Sequence, residues 1–305
     1  MLRNSLPSGL FVGLATLDIF YQVDEFLERN KKAFANHSLV TSGGPATNAA
    51  ITFKYLGGKA TLLTALGTSE TARIIKNDIR QLGVEVIDVL NSDQSEPVVA
   101  SIISSSSNGD RTVLTTRLNG LGKVEQSFFE NVGDYDFVLL DGYFPELYLP
   151  ASERAKINKI PVILDGGSWK PNLEKVLWNC DYALVSANFH PPSTSNSDDV
   201  FEFIRSHEII FSAITHGGNK IQMEERGLKN FVFPPKIKAI DTLGAGDIFH
   251  GAFAYYFALG NNFSESIKLA SSVAAFSCRT FGTREWMETP WNNQKETILS
   301  NNFGE

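Results

Sequence analysis

The amino-acid sequence predicts an α/β fold of three layers, in which helices cover both faces of a mostly parallel sheet, together with a second, small β-sheet. Three observations predict this fold. Strand-like apolar runs alternate with helical segments along most of the chain. Several of these runs are apolar throughout, as burial on both faces of a sheet requires. Two further β-rich segments interrupt the alternation.

The strand-like runs are short and are separated by helical candidates. The runs are residues 10–15, 60–66, 84–90, 137–141, 162–165, 182–186 and 209–215. The helical candidates are residues 45–56, 70–82, 145–159, 172–179, 248–259 and 271–281. Because parallel strands need long crossover connections, this alternation favours a parallel sheet with helical crossovers.

The interrupting segments predict the second sheet. Residues 97–104 and 111–117 are rich in β-forming residues, and Asn108-Gly109 between them is a strong signal for a tight turn. The two segments therefore predict a hairpin, which residues 20–23 and 39–41 extend. For residues 104–107, a surface loop without a role is the alternative.

Composition indicates a globular enzyme. A chain of 305 residues, 43% of them hydrophobic, can bury a large core, and we expect a single domain. The net charge of −7 and pI near 5.4 disfavour binding to nucleic acid, which needs a basic surface. Without a membrane-length apolar run or a signal-peptide core, a cytoplasmic protein with no membrane partner is expected. Cys180 and Cys278 predict buried thiols, not a disulfide or a zinc site.

The stretch of residues 241–251 carries the strongest functional signal. Gly244, Ala245 and Gly246 let a ligand approach the backbone closely, and the free amides of a first helical turn attract phosphate. Asp247 lies in the same turn, where the helix terminus is expected to favour its ionised form. A carboxylate there can take a proton from a substrate hydroxyl. The alternative is an ordinary helix cap.

This stretch, Asp-Thr-Leu-Gly-Ala-Gly-Asp-Ile-Phe-His-Gly, resembles the signature of the ribokinase-like (PfkB) carbohydrate kinases and matches it at every fixed position. The resemblance implies that Asp247 is the catalytic base and that the backbone of Gly244, Ala245 and Gly246 forms an anion hole. It also implies ATP as phosphoryl donor, Mg²⁺ as cofactor and Thr242 at the nucleotide. The implied fold is ribokinase-like over residues 1–305.

The segment Ser-Gly-Gly-Pro-Ala-Thr-Asn-Ala-Ala at residues 42–50 is similar to the sugar-site segment of the same family. The resemblance implies that Gly43, Gly44 and Asn48 bind the substrate, with Asp18 as the early acid that accepts from sugar hydroxyls. Arg111 in the predicted hairpin is a further candidate, for an anionic group on the substrate. Without the resemblance, the glycines predict only a turn before a helix. Asp18 and Arg111 would then be expected to be solvated charges.

In this family a small β-lid covers the sugar, and here the resemblance places it at about residues 17–42 and 96–118. A lid that excludes water suits phosphoryl transfer, because hydrolysis competes with it. Relatives often dimerise through lid strands, so the resemblance also implies a homodimer.

On the nucleotide side the resemblance is weaker. The family's Asn-x-x-Glu becomes Asn-Phe-His-Pro at residues 188–191, so the acid after Asn188 is missing and Mg²⁺ is expected mainly on nucleotide phosphates and water. Thr215, Gly217 and Gly218 resemble the family's Thr-x-Gly segment beside ATP, and a tight turn is the alternative. Leu243 replaces a hydroxyl residue of some K⁺-dependent relatives, which leaves a K⁺ requirement open.

The predicted function is that of an ATP-dependent kinase of a small carbohydrate, with a ketose as the first candidate. No Walker A sequence, protein-kinase signature or Gly-x-Ser-x-Gly elbow occurs in the chain. Two alternatives stay open: a nucleoside kinase of the same fold, and a non-catalytic sensor of sugar or nucleotide.

Overall fold

Thirteen strands form two sheets in the part of the chain that the computed structural model describes, which is residues 5–90, 96–107, 111–117 and 120–300. The strands are β1 (Ser8–Val12), β2 (Thr16–Val23), β3 (His37–Gly43), β4 (Lys59–Thr64), β5 (Glu85–Asp88), β6 (Val98–Ser105), β7 (Arg111–Thr115), β8 (Phe137–Leu140), β9 (Val162–Gly166), β10 (Tyr182–Ser186), β11 (Phe211–Thr215), β12 (Ile221–Glu225) and β13 (Leu228–Val232).

Eight α-helices and two 3₁₀ segments accompany these strands within the described ranges. The helices are α1 (Pro45–Leu56), α2 (Glu70–Gln81), α3 (Pro145–Ile157), α4 (Leu173–Leu177), α5 (Ser197–Ser206), α6 (Ala245–Ala258), α7 (Phe263–Ser277) and α8 (Trp291–Ser300). The 3₁₀ segments are Gln126–Asp134 and Glu285–Glu288. None of the described helices is long and apolar enough to cross a membrane.

The larger sheet has nine strands in the order β13-β12-β11-β10-β9-β8-β1-β4-β5. The strands from β11 to β5 are parallel. At one edge, β12 pairs antiparallel with β11 and β13 pairs antiparallel with β12. From β1 the chain first builds β4 and β5 on one side and later β8 to β11 on the other. The carboxyl ends of β1 and β8 therefore flank the point where strand order reverses, which is where such sheets bind ligands.

Two apolar cores cover the two faces of this sheet, as the apolar strands predict. One core contains residues of α1, α2, α6 and α7, and the other contains residues of α3, α4 and α5. Strand β1 shows the alternation: Phe11 belongs to the first core, whereas Leu10 and Val12 belong to the second. The three-layer prediction is confirmed.

The small sheet has the strand order β3-β2-β6-β7. Strands β6 and β7 pair antiparallel, which confirms the predicted hairpin, while the predicted turn at Asn108-Gly109 lies outside the described residues. Ser104 and Ser105 belong to β6, so they are not part of a loop. Buried Phe20 and Ile102 of this sheet pack with Leu243 of the 241–251 stretch.

Several boundaries differ from the prediction. Helix α1 has the predicted bounds, but the helix expected at residues 271–281 begins at Phe263, where the Asn262 side chain accepts from the amide of Glu265. That cap, not the apolar run after it, sets the start of the helix. Likewise α6 begins at Ala245, before the apolar residues that predict it. Helices α5 and α8 and strand β13 were not predicted.

Candidate active site

The small residues of the 241–251 stretch form the turn that opens α6. Gly244 precedes the helix at φ +68°, and a Cβ there would lie 2.7 Å from the Thr283 side chain, so both backbone and space require glycine. At Gly246, by contrast, no atom of the described residues lies within 4 Å of a Cβ position, apart from its chain neighbours and the backbone of its own helix. The first turn of α6 is therefore open to a ligand at this residue.

The carboxylate of Asp241 holds this turn in place through two hydrogen bonds. The amides of Leu243 and Gly282 each donate to it, both at 2.9 Å, which ties the turn to the segment after α7. Arg111 reaches the same turn from β7, with its Nη1 3.5 Å from Thr242 Oγ1. The structure thus places Arg111 at the start of the 241–251 stretch.

Asp247 and Asn48 meet through their side chains. Asn48 Nδ2 donates to Asp247 Oδ2 at 2.7 Å. Arg284 Nη2 in turn donates to Asn48 Oδ1 at 2.7 Å and to the carbonyl of Ser42 at 3.0 Å. Because Arg284 has only donors, it fixes which end of the Asn48 amide faces Asp247.

Asp18 lies in β2 of the small sheet, close enough to Arg284 for the charges of the two side chains to interact. Its Oδ1 accepts from Thr16 Oγ1 at 2.6 Å, and a Cβ on Gly43 would collide with its carboxylate. Burial raises the pKa of Asp18, and the Thr16 bond and Arg284 oppose that rise. The predicted sugar-site residues Asp18, Gly43 and Asn48 are thereby gathered near Asp247, with Gly44 preceding α1.

Two further buried acids lie at the carboxyl ends of neighbouring strands. Asp141 follows β8, and Asp165 lies in β9. Asp141 Oδ2 accepts from the amides of Leu14 at 2.8 Å and Ala46 at 3.1 Å, and Oδ1 from that of Tyr143 at 2.9 Å. Burial nevertheless raises the pKa of Asp141 to about 6.

The pKa of Asp247 is also raised, to about 7. Burial is the largest cause and the charge of Asp165 the next, while the Asn48 hydrogen bond and His250 act in the opposite direction. The expectation that the ionised form of Asp247 is favoured is therefore wrong in its net direction, because it took account of the helix terminus but not of burial and the neighbouring acids.

The predicted nucleotide residues lie at the same edge of the sheet, beyond Asp165. Asn188 follows β10 and is exposed, and its backbone amide donates to Ser186 Oγ at 3.0 Å. Thr215 ends β11, which pairs with β10. Gly217 and Gly218 follow, and a Cβ at either would have no protein atom within 4 Å. Asn188 thus lies one strand away from β9, and Thr215, Gly217 and Gly218 lie two strands away.

Among the described residues, no group of three or more His, Cys, Asp or Glu side chains could hold a metal ion. A basic side chain instead accompanies the acids: Lys170 Nζ donates to the carbonyl of Asp141 at 3.2 Å and lies 4.4 Å from the ring centre of Tyr143. Mg²⁺ does not need such a group of three side chains, because proteins usually bind it through one or two carboxylates together with substrate phosphates and water.

The sequence analysis missed four residues of this site: Asp141, Asp165, His250 and Arg284. Acids that end apolar strands are a signal that could have identified the first two, since ligands bind at that edge of a parallel sheet. His250 lies inside the 241–251 stretch, one helical turn after Asp247. Nothing local marks Arg284, whose partner Asn48 is 236 positions away.

Comparison with known proteins identifies one family and several similar proteins. The family model of "pfkB family carbohydrate kinase" matches residues 8–290. A ketohexokinase of Mus musculus is 24% identical over 291 residues, which cover 88% of this chain and 95% of the relative. Among solved structures, a putative ribokinase from Agrobacterium tumefaciens superposes with a TM-score of 0.83 at 25% identity and covers 97% of this chain and 98% of its own. An Arabidopsis thaliana ribokinase complexed with ribose and ATP has a TM-score of 0.80 at 19% identity and covers 98% and 100%.

Proposed function

The chain belongs to the pfkB family of carbohydrate kinases, which are ATP-dependent phosphotransferases, and on this premise we propose that it phosphorylates a hydroxyl of a small carbohydrate with Asp247 as general base. In this proposal the backbone of Gly244, Ala245, Gly246 and Asp247 is the anion hole. The observation that carries it is the Asn48–Asp247 contact beside the open turn of α6.

The state of Asp247 suits a base. A pKa of about 7 is close to the pH at which an enzyme works, where a general base is most effective. Since Oδ2 of Asp247 accepts the Asn48 bond, Oδ1 is the atom that receives the hydroxyl proton as the oxygen attacks the γ-phosphorus. The bond between that phosphorus and the β,γ-bridging oxygen breaks, and ADP leaves with the oxygen. The amides at the start of α6 stabilise the charge that grows on the phosphoryl oxygens.

The carbohydrate lies, in this proposal, against Asp18, Gly43, Gly44 and Asn48. Two observations support this placement. Asp18 offers buried acceptor oxygens, and Gly43 has no side chain that would collide with them. A ketose is the first candidate, because a ketohexokinase is similar over 88% of the chain. For Arg111 we propose contact with an anionic group, and an unchanged substrate KM in Arg111→Ala would end that proposal.

ATP is proposed to lie along Asn188, Thr215, Gly217, Gly218 and Thr242. The open space at Gly217 and Gly218 supports close approach of a ligand to the backbone. When bound on the phosphates, Mg²⁺ supplies positive charge that offsets the charge of the transferred group. The described residues that flank the turn then orient the donor and exclude water.

The small sheet is proposed as the lid over the carbohydrate, built from about residues 17–42 and 96–118 within one domain. Its contact with Leu243 supports coupling between lid and anion hole. A homodimer through this sheet is the accompanying proposal, supported by the exposed apolar residues Val40, Val113 and Leu114. Light scattering after gel filtration, with Leu114→Lys as the variant, tests it: a monomeric wild type would refute it.

The test of the function is Mg²⁺- and ATP-dependent release of ADP across ketoses, aldoses, sugar phosphates and nucleosides. We expect stimulation by a free sugar in the wild type and its loss in Asp247→Asn. Stimulation by nucleosides alone would assign a nucleoside kinase, and binding without turnover across the panel would assign a sensor.

A further inference from the structure

His250 lies buried behind the catalytic turn, with its side chain only 5% exposed. It belongs to the first turns of α6, and its ring reaches over the β9–β10 pair of the main sheet. Nδ1 lies 2.6 Å from the carbonyl oxygen of Gly246, and Nε2 lies 3.1 Å from that of Leu184. The ring therefore connects the anion-binding turn to the sheet beneath it.

Both ring nitrogens of His250 thus face carbonyl oxygens. A carbonyl oxygen only accepts, and a neutral imidazole has only one N–H, so a neutral ring would direct a lone pair at one of the two oxygens. An imidazolium has two N–H groups and satisfies both contacts. Only the charged form of this histidine can therefore donate to both oxygens.

The counter-charge is Asp165. Its Oδ2 lies 3.3 Å from His250 Nδ1, is buried, and has no hydrogen-bond partner in the described part of the chain. Asp165 pairs in register with Leu184 across β9 and β10, so the carboxylate and the Leu184 carbonyl approach the ring from adjacent strands. A buried carboxylate oxygen without a hydrogen bond is costly unless a cation is close.

We propose that His250 is a positioning residue: as an imidazolium it balances the charge of Asp165 and holds the Gly246 carbonyl, and so keeps both Asp247 and the anion-binding turn in their working state. This inference rests on the proposed role of Asp247 as base. It concerns a position that the family signature leaves free and adds a residue that does not touch the substrate.

The charged groups that face Asp247 come from several elements. Negative charge comes from Asp165 in β9 and from Asp141 after β8, and positive charge from His250 on its own helix and from Arg284 after α7. The remaining polar neighbours are Asn48 in α1 and Tyr143 after β8, while Lys170 faces Asp141. Without the imidazolium, only Asn48 and Arg284 would offset the effect of Asp165 on the ionisation of Asp247.

The test is the pH profile of kcat/KM in variants that separate charge from hydrogen bonding. In His250→Asn the side-chain amide can replace the Nδ1 donor to Gly246 but carries no charge. We expect the acid limb to move upward by roughly one pH unit, the lower end of the effect of losing a nearby opposite charge. Adding Asp165→Asn to this variant should return the limb to the wild-type position or below it.

Two other outcomes distinguish failure of this inference from failure of the proposed function. If His250→Asn lowers kcat with no movement of the limb, and Asp165→Asn does not reverse the loss, the residue has only a structural role and the inference is overturned. If Asp247→Asn retains wild-type turnover, the proposed function fails instead, whatever His250 does. Thermal unfolding of each variant establishes that it is folded before its rate is measured.

A readout without turnover covers the case of a variant that does not fold. The chain has five histidines, so ¹⁵N spectra of histidine-labelled wild-type protein are simple. We expect one histidine, assigned to His250 through Asp165→Asn as the perturbing variant, to carry protons on both nitrogens at neutral pH. A nitrogen with a free lone pair on that ring would refute the inference.

Discussion

Asn48 donates its side-chain amide to Asp247 across 2.7 Å, although the two residues are 199 positions apart. The contact joins α1 to α6, and Arg284 fixes its direction by donating to the other end of the Asn48 amide. A chain of three side chains thus orients the carboxylate that we propose as base. It also lowers the pKa of Asp247 against the larger effect of burial.

Asn48→Ala should therefore affect both rate and pH dependence. The variant removes a hydrogen bond to the carboxylate, so the acid limb of kcat/KM should move to higher pH. The carboxylate that is left without this donor is destabilised by about 1–3 kcal/mol. Steady-state kinetics from pH 5.5 to 9 measure this. The matched control is Asn158→Ala, where the exposed amide donates only to the carbonyl of Arg154, and its profile should match the wild type.

The ionisation of Asp247 itself predicts the wild-type profile. The carboxylate form accepts the proton, and with a pKa of about 7 the protonated form prevails at lower pH. We expect kcat/KM to fall about tenfold per pH unit well below 7. Asp247→Asn should lose about 10²- to 10⁴-fold in kcat. A flat profile, or a variant of near wild-type rate in the same assay, would remove Asp247 from the mechanism.

Two glycines of the anion-binding turn offer a matched pair of substitutions. Gly246→Ala places a methyl group where no protein atom lies within 4 Å, so folding should be unaffected while a bound phosphoryl group loses its space. Gly244→Ala forces a residue with a side chain to φ +68° and against Thr283, so it should destabilise the fold by about 1–3 kcal/mol.

The two variants are compared by urea unfolding and by ATP-dependent turnover. The expected result is loss of turnover at full stability for Gly246→Ala, and loss of both for Gly244→Ala. Turnover by Gly246→Ala equal to the wild type would contradict the placement of the anion hole in this turn.

The sequence predicted what local patterns determine. Helix α1 was correct at both ends, because proline favours its first turn and glycine follows its last residue. The apolar strands and the β6–β7 hairpin were correct for the same reason: their signals lie within a few residues. The helix at 271–281 was misplaced because its start depends on the cap at Asn262, which the apolar pattern does not contain.

The site was predictable only in part. The turn before Asp247 has a local signature, but Arg284 reaches Asn48 across 236 positions and His250 reaches Leu184 across 66. Such pairs depend on which strands become neighbours. The ionisation of Asp247 shows the consequence: the helix terminus could be inferred from sequence, whereas Asp165 and the burial that outweigh it required the fold.

Asp141 provides a prediction about stability. Its carboxylate is 1% exposed and accepts three backbone amides, from Leu14, Ala46 and Tyr143, yet burial raises its pKa from the ordinary 3.8 to about 6. The folded protein therefore holds this proton more tightly than the unfolded chain does. The resulting stabilisation is complete below pH 4 and is lost as the pH rises through about 6, and it corresponds to about 3 kcal/mol.

Asp141→Asn isolates this effect. The amide oxygen can still accept from Leu14 and Ala46, whereas its NH₂ group faces the amide of Tyr143 and loses one bond, at a cost of about 1–3 kcal/mol that does not depend on pH. Urea unfolding of both proteins between pH 4.5 and 7.5 gives the difference in free energy of unfolding. We expect the wild type's advantage to shrink as the pH rises, because only the wild type must ionise a buried acid. A constant difference across that range would mean that Asp141 is ionised in the folded protein throughout, held by its three amides.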